Sequence, residues 1–247
     1  MNTSIPDDVH WVVVIPAKPL GTAKSRLSDA AGSRRPELAL AMLLDTVEAA
    51  LPVDEVAAVL VVTDDDLIAA AASALGAVVV PDLPGGGLNA AFQYGIEVAA
   101  ARYPGTGVAL LAGDLPALRT HELEAALAVA ASSPGVVAVA DRDELGTTML
   151  AARLPPQLRL AFGVGSFARH RALDAVALEL EGLDSLRCDV DDAVGLRAAI
   201  SLGVGKRTAD MTKGWDPLVV GPTSSEGREA KQSKEEVGPK TKGSQPL

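Results

Sequence analysis

Short β-branched runs alternate along this chain with segments of helical period, and that alternation limits the fold more than any other feature. Val12 to Ile15, Val56 to Val62 and Val78 to Val80 are too short for core helices and read as buried strands. A fourth run, Val108 to Pro116 (VALLAGDLP), is apolar until it ends in Gly-Asp-Leu-Pro. Between these runs lie Pro36 to Ala50, Leu67 to Leu75 and about Ala90 to Arg102. The first carries Leu40, Leu43, Leu44 and Val47 on one side and a proline suited to a first turn; the second is closed by Gly76. Strand and helix in strict alternation call for an α/β fold with a doubly wound parallel sheet and right-handed crossovers. A helix at about Thr120 to Ala131, a fifth strand at Val136 to Ala140 and a helix from Asp192 to Leu202 extend the pattern. Only 3% of the residues are aromatic against 48% hydrophobic, so Ala, Val and Leu must fill the core.

Ligands of open α/β sheets collect beyond the carboxyl ends of the strands, which directs attention to the loops there. Asp114, released by a glycine and followed by Pro116, is the first candidate metal ligand; capping of the next helix is the alternative. After the first strand, Ala17 to Leu27 sets Lys18, Lys24 and Arg26 among small and turn-forming residues, a pattern suited to folding over a polyphosphate. Asp64, Asp65 and Asp66 read instead as acids that cap and begin a helix. Gly85, Gly86 and Gly87 let backbone approach a ligand, and the Asn89 amide both donates and accepts, as a nucleobase edge requires.

Further along, Thr148 is either a partner for a ligand phosphate or carboxylate or an ordinary strand residue. Phe162 to Arg171 joins Gly163, Gly165 and Ser166 to Arg169, His170 and Arg171 at a helix start, where exposed N–H groups and nearby positive charge suit an anion. Its match to G-x-G-x-x-A is set aside, because Pro155-Pro156 and a mixed segment precede it where a dinucleotide fold needs a strand. Leu186 to Asp192 (LRCDVDD) reads as a short strand ending in acids. Asp189 and Asp191 then share a face and can reach one divalent cation, with Asp192 starting the next helix; capping by the whole cluster is the alternative. Gly203 to Thr208 is not a phosphate loop, because Arg207 stands where Ser or Thr is needed.

A formal net charge of −10 disfavours a nucleic-acid surface, although a local cluster of cations still suits a small anion. The single cysteine, Cys188, forms no internal disulfide, and no Cys/His spacing suggests zinc. The N-terminus lacks a basic region before its first apolar run, and no run reaches membrane-spanning length, so a soluble cytoplasmic protein is expected, with no membrane partner. No G-x-S-x-G elbow is present, and His10, His121 and His170 have no evident serine partner except Ser166. One domain over residues 1–206 is expected, followed by a polar, disordered tail over 207–247.

The ordered series IPAK, AKSRL, GLN, GDLP, GTT, FGxGSxARHR and RCDVDD resembles the CofC/FbiD family of guanylyltransferases of coenzyme F420 biosynthesis. The resemblance spans residues 12 to about 205 and excludes the tail. It implies the nucleotidyltransferase fold shared with MobA-like and nucleotide-diphospho-sugar enzymes. It also implies transfer of GMP from GTP to phosphoenolpyruvate, with 2-phospho-L-lactate as the alternative acceptor. By motif, Asp114 and Asp189 would hold Mg2+, Lys18 would face phosphate, and Thr148, Gly163 and Ser166 would line the acceptor pocket, with Thr147 as the alternative contact. Lys24, Arg26 and Asn89 would meet the nucleotide, and the product would pass to the next enzyme of the pathway. The competing readings are a nucleotidyltransferase for a sugar phosphate or molybdopterin, and a nucleotide-binding regulatory domain without turnover.

Overall fold

The computed structural model describes residues 9–24, 27, 31–83 and 85–214. Among them, seven strands form one sheet in the order β3-β2-β1-β4-β6-β5-β7. The strands are β1 (Trp11–Pro16), β2 (Val56–Val62), β3 (Val78–Val80), β4 (Gly107–Leu111), β5 (Val137–Ala140), β6 (Thr147–Ala152) and β7 (Val176–Ala177). The helices are α1 (Arg35–Ala50), α2 (Asp66–Leu75), α3 (Leu88–Arg102), α4 (Thr120–Ser132), α5 (Ser166–Ala172), α6 (Ala193–Leu202) and α7 (Lys206–Thr212). The parallel half, β3-β2-β1-β4, follows the alternation read from sequence.

The other half departs from it. The threonine-bearing segment is strand β6, antiparallel to both β4 and β5, so the sheet is mixed. That orientation brings the first residues of β6 to the end of the sheet where β1 and β4 finish.

Central strands are buried on both sides, and successive residues divide between two cores. Val13, Ile15, Val61, Ala109 and Leu111 pack with Leu43 and Val47 of α1, Ile68 of α2 and Leu123 and Leu127 of α4. Val12, Val14, Leu60, Val108 and Leu110 pack on the opposite face with Phe92 and Ile96 of α3. With few aromatic rings to fill space, helix and sheet lie close together. A methyl group added at Gly95 of α3 would collide with the Val14 side chain, an overpacking that costs about 1–3 kcal/mol.

Local signals hold where they act locally. Asp65 caps α2 by accepting from Leu67 N and Ile68 N, and Gly76 closes it in the left-handed region at φ 101°. Asp192 caps α6, accepting from Val194 N and Gly195 N at 2.9 Å each.

Two expectations are corrected. Residues 186–190 form no strand; they are a turn followed by irregular backbone. The polar region also does not lose structure at Arg207, because 206–212 is helix α7, lying against α1. The almost fully buried Asp45 of α1 accepts from Arg207 N at 3.2 Å and Thr208 N at 2.8 Å, capping α7 from 162 residues away. Local composition cannot reveal a cap supplied by a distant helix. Residues 215–247, most of the expected tail, lie outside the described residues. No helix among the described residues is long and apolar enough to cross a membrane.

Candidate active site

The chain leaves β1 toward β2 and β3 on one side, whereas β4 lies on the other. Such a reversal opens a crevice beyond the strand ends. Asp114 stands there, just past β4. Gly113 fits closely before it: a Cβ at that position would come within 3.0 Å of Leu43 and 3.1 Å of Ile15, so both side chains would have to give way slightly. Leu115 N donates to the buried Thr46 Oγ1 at 3.0 Å, which fixes the turn against α1.

Residues 183–191 cross to this turn and are held at both ends. Val190 N donates to Asp114 O at 3.0 Å. The buried Glu122 carboxylate of α4 accepts from Ser185 N at 2.9 Å and Leu186 N at 3.0 Å, and Arg119 N donates to Ser185 Oγ. Asp114, Asp189 and Asp191 consequently each bring a carboxylate oxygen to within 4.8 Å of the others. Glu122 falls inside the helix expected at about Thr120 to Ala131, and nothing within a few positions of it signals the loop it holds.

Three carboxylates so close repel one another. At an effective dielectric constant of 20, two unit charges about 5 Å apart cost roughly 3 kcal/mol. Burial, then repulsion from Asp114, Asp191 and Asp141, pushes the Asp189 carboxyl up to about 7, with Lys24 partly offsetting it. Lys24 forms ion pairs with both Asp114 and Asp191, the latter at 3.0 Å. Burial disfavours its charge, but the two carboxylates outweigh that and raise its pKa. Hard oxygen donors clustered around a cationic nitrogen fit a small divalent ion such as Mg2+.

Beside this acidic group stands a neutral one. The pairing of β5 with β6 shifts register between Val139↔Met149 and Ala140↔Thr147, leaving Thr148 as the extra residue of a bulge. The bulge turns Thr147 to the face it shares with Ala140, where α5 packs. There Thr147 Oγ1 lies 2.9 Å from His170 Nδ1 and 3.1 Å from Ser166 Oγ. Thr148 O accepts from Ala112 N at 2.8 Å, so this cluster adjoins the end of β4 that leads to Asp114. The Thr148 hydroxyl is buried and has no partner among the described residues, whereas the Thr147 hydroxyl is engaged by His170 and Ser166.

The positive charge expected at the start of α5 is largely committed elsewhere. Arg169 straps the preceding loop, donating to Ala161 O and Val164 O. His170 is buried, and desolvation followed by the Arg169 charge lowers its pKa to about 4, so it is neutral at pH 7. Gly163 and Gly165 take φ of 122° and 71°, conformations that side chains resist. Asn89 uses both ends of its amide on Phe162, donating to its O at 3.2 Å and accepting from its N at 2.9 Å. It therefore clamps the 161–165 loop to α3, a use that the sequence does not announce. Lys18 is exposed just past β1, and Arg26 lies outside the described residues.

Known proteins resemble this chain in sequence and in fold. Phosphoenolpyruvate guanylyltransferase of Thermomonospora curvata is 49% identical over 227 residues, 92% of this chain and 99% of that protein. The protein of the same name from Streptomyces coelicolor is 50% identical over 202 residues, covering 81% and 95%. Among solved structures, a nucleotidyl transferase from Methanothermobacter aligns with a TM-score of 0.55 at 20% identity, over 78% of this chain and 97% of that one. A 4-diphosphocytidyl-2C-methyl-D-erythritol synthase from Anaerococcus prevotii aligns with a TM-score of 0.54 at 13% identity, over 79% and 97%. At such identities these two likenesses speak for the fold alone. The family model described as guanylyl transferase CofC like matches residues 11–231, and the chain belongs to that family.

Proposed function

We propose that the chain transfers GMP from GTP to phosphoenolpyruvate, with release of pyrophosphate. The observation that carries nucleotidyl transfer is the convergence of Asp114, Asp189 and Asp191 just past the end of β4. The choice of guanine nucleotide and acceptor rests on the names of the relatives.

A non-bridging oxygen of the acceptor phosphate attacks the α-phosphorus of GTP, and pyrophosphate leaves. One P–O bond forms, the bond to the β-phosphate bridge breaks, and enolpyruvyl-diphospho-guanosine results. With a second pKa of about 6, the acceptor phosphate is already a dianion at neutral pH, and no general base is needed. The obstacle is repulsion between anions. Asp114 and Asp189, joined by Asp191, would hold Mg2+, which when bound supplies charge neutralisation and alignment for in-line displacement. Lys18 and Lys24 add positive charge along the nucleotide phosphates, together with Arg26. The Thr148 hydroxyl, Ser166 and the backbone at Gly163 receive the acceptor, while Asn89 shapes the pocket from behind. The product, an activated phosphoanhydride of an enol ester, is suited to direct hand-over to the enzyme that consumes it. The cytoplasm, where the buried thiol of Cys188 stays reduced, suits such work.

The test is incubation with GTP, Mg2+ and either phosphoenolpyruvate or 2-phospho-L-lactate, following pyrophosphate and the nucleotide product by mass spectrometry. Pyrophosphate with phosphoenolpyruvate supports the assignment. Turnover only with 2-phospho-L-lactate moves the acceptor. No release with either, with the downstream enzyme present, ends it.

A further inference from the structure

Lys24 joins the loop after β1 to the acidic cluster, and its backbone is unusual. Its φ is 54°, in the left-handed region that a residue with a Cβ resists and keeps only where its surroundings enforce it. Here they do. Arg35, at the start of α1, donates from its two terminal nitrogens to Ala23 O and Gly21 O, the latter at 2.8 Å. Asp65 caps α2 with one carboxylate oxygen and accepts from Leu20 N at 2.9 Å with the other. Leu27 N donates to Lys24 O at 2.9 Å. The Lys24 backbone is thereby held in place, whereas its ammonium rides on a flexible stem of four carbons.

The second observation is where that stem ends. Nζ forms ion pairs with Asp114 and, at 3.0 Å, with Asp191, and these belong to the same trio of carboxylates that lie within 4.8 Å of one another. A divalent ion of the Mg2+ kind seeks the same oxygens, at about 2.1 Å. On the Asp191 oxygen that accepts from Lys24, such an ion would stand no more than about 5 Å from Nζ. Two cations at that separation, with no anion between them, repel strongly where water is partly excluded. The cluster then takes one or the other.

We propose that Lys24 is a tethered counter-ion of the acidic cluster: its ammonium holds Asp114 and Asp191 together before a divalent ion binds, yields those carboxylates to the ion, and swings from its fixed backbone toward an incoming anion. Naming that anion a nucleotide phosphate rests on the function proposed above; the exchange of ammonium for metal does not.

Metal binding by the full chain, with no nucleotide present, is the test. In Mn2+ titrations followed by electron paramagnetic resonance, Lys24→Met should bind the ion about tenfold more tightly than wild type, because no tethered charge has to leave. Lys24→Arg keeps the charge and should stay near wild type. In 1H–15N spectra of wild type, the Lys24 ammonium resonance, identified by its absence from Lys24→Met, should be protected from solvent exchange and should lose that protection at saturating Mg2+. An ammonium that stays protected beside bound Mg2+ overturns the proposal, because ion and lysine then share the cluster. Binding to Lys24→Met no tighter than to wild type, or no saturable binding to either, overturns it equally. Should Lys24→Met fail to fold by circular dichroism, Lys24→Gln takes its place, and the wild-type Mg2+ spectrum decides the exchange. If metal displaces the ammonium but GTP yields pyrophosphate with neither acceptor, the functional reading fails and the exchange stands.

Discussion

The two banks of the crevice are built on opposite principles. On one, Asp114, Asp189 and Asp191 crowd together around Lys24, and the Asp189 carboxyl is pushed up to about 7. On the other, Thr147, Ser166 and His170 form a neutral hydrogen-bonded cluster beside the lone Thr148 hydroxyl. Lys24 offsets only part of the repulsion in the acidic bank, so a bound metal ion would release the rest. The hydroxyl bank is ordered beforehand, and preorganised dipoles of that kind need no rearrangement when charge arrives. A site for joining two anions needs both, one bank to cancel charge and one to hold a substrate still.

The contrast breaks most visibly at Asp114. Asp114→Asn keeps the shape of the acidic bank and removes one ligand charge. Turnover should fall on the order of a hundredfold or more, with an unchanged circular dichroism spectrum. Wild-type activity in that variant would remove the acidic bank from the chemistry.

A second test reaches the support shared with α7. Helix α1 holds Leu115 through Thr46 and caps α7 through Asp45. Deleting residues 207–247 leaves the Asp45 carboxylate without its partners and should cost about 3 kcal/mol in denaturant melts. Deleting only 215–247 should leave turnover unchanged. Equal melts for the two truncations would show that α7 stabilises nothing.

Stability against pH sharpens the comparison, because the banks respond with opposite sign. Asp189 has a folded pKa raised from 3.8 to about 7, so with a chelator present its contribution is lost as pH rises through that interval. His170 has a folded pKa lowered from 6.5 to about 4, so its contribution is complete above 6.5 and is lost as pH falls toward 4. Asp189→Asn should flatten the first slope and gain about 1–2 kcal/mol at pH 7 without metal while losing turnover. His170→Phe should flatten the second. Saturating Mg2+ should raise the melting temperature of wild type at pH 7 and not that of Asp189→Asn. The smallest effect is expected at Glu122→Gln, which keeps one acceptor for Ser185 and Leu186 and should cost about 1 kcal/mol.

Much of this was legible beforehand, and unevenly. The parallel half of the sheet followed from strand runs that match the observed bounds at β2 and β3, stop one residue short at each end of β1 and run past the end of β4, and Asp65, Gly76 and Asp192 acted as the local rules require. Asp114 and Asp189 were marked as a pair from motif order, and Asp191 as an open third. The proposed strand that was to align Asp189 with Asp191 does not exist; the carboxylates meet because Glu122 and Asp114 O hold an irregular loop. The bulge at Thr148, which turns Thr147 toward His170, depends on how β6 pairs with β5, and two adjacent threonines carry no sign of it.

What the amino-acid order determined by itself was everything set within a few residues: the alternation of element types, the caps, the glycine turns and the short list of acids and cations able to meet phosphate. What only the tertiary structure decided was which of these groups face each other. Asp45 reaches Thr208, Asn89 reaches Phe162, and Lys24 reaches Asp191. The reason is physical: propensity and capping act through neighbouring backbone, whereas these pairings exist only after crossovers and an antiparallel strand have brought distant segments to one end of the sheet.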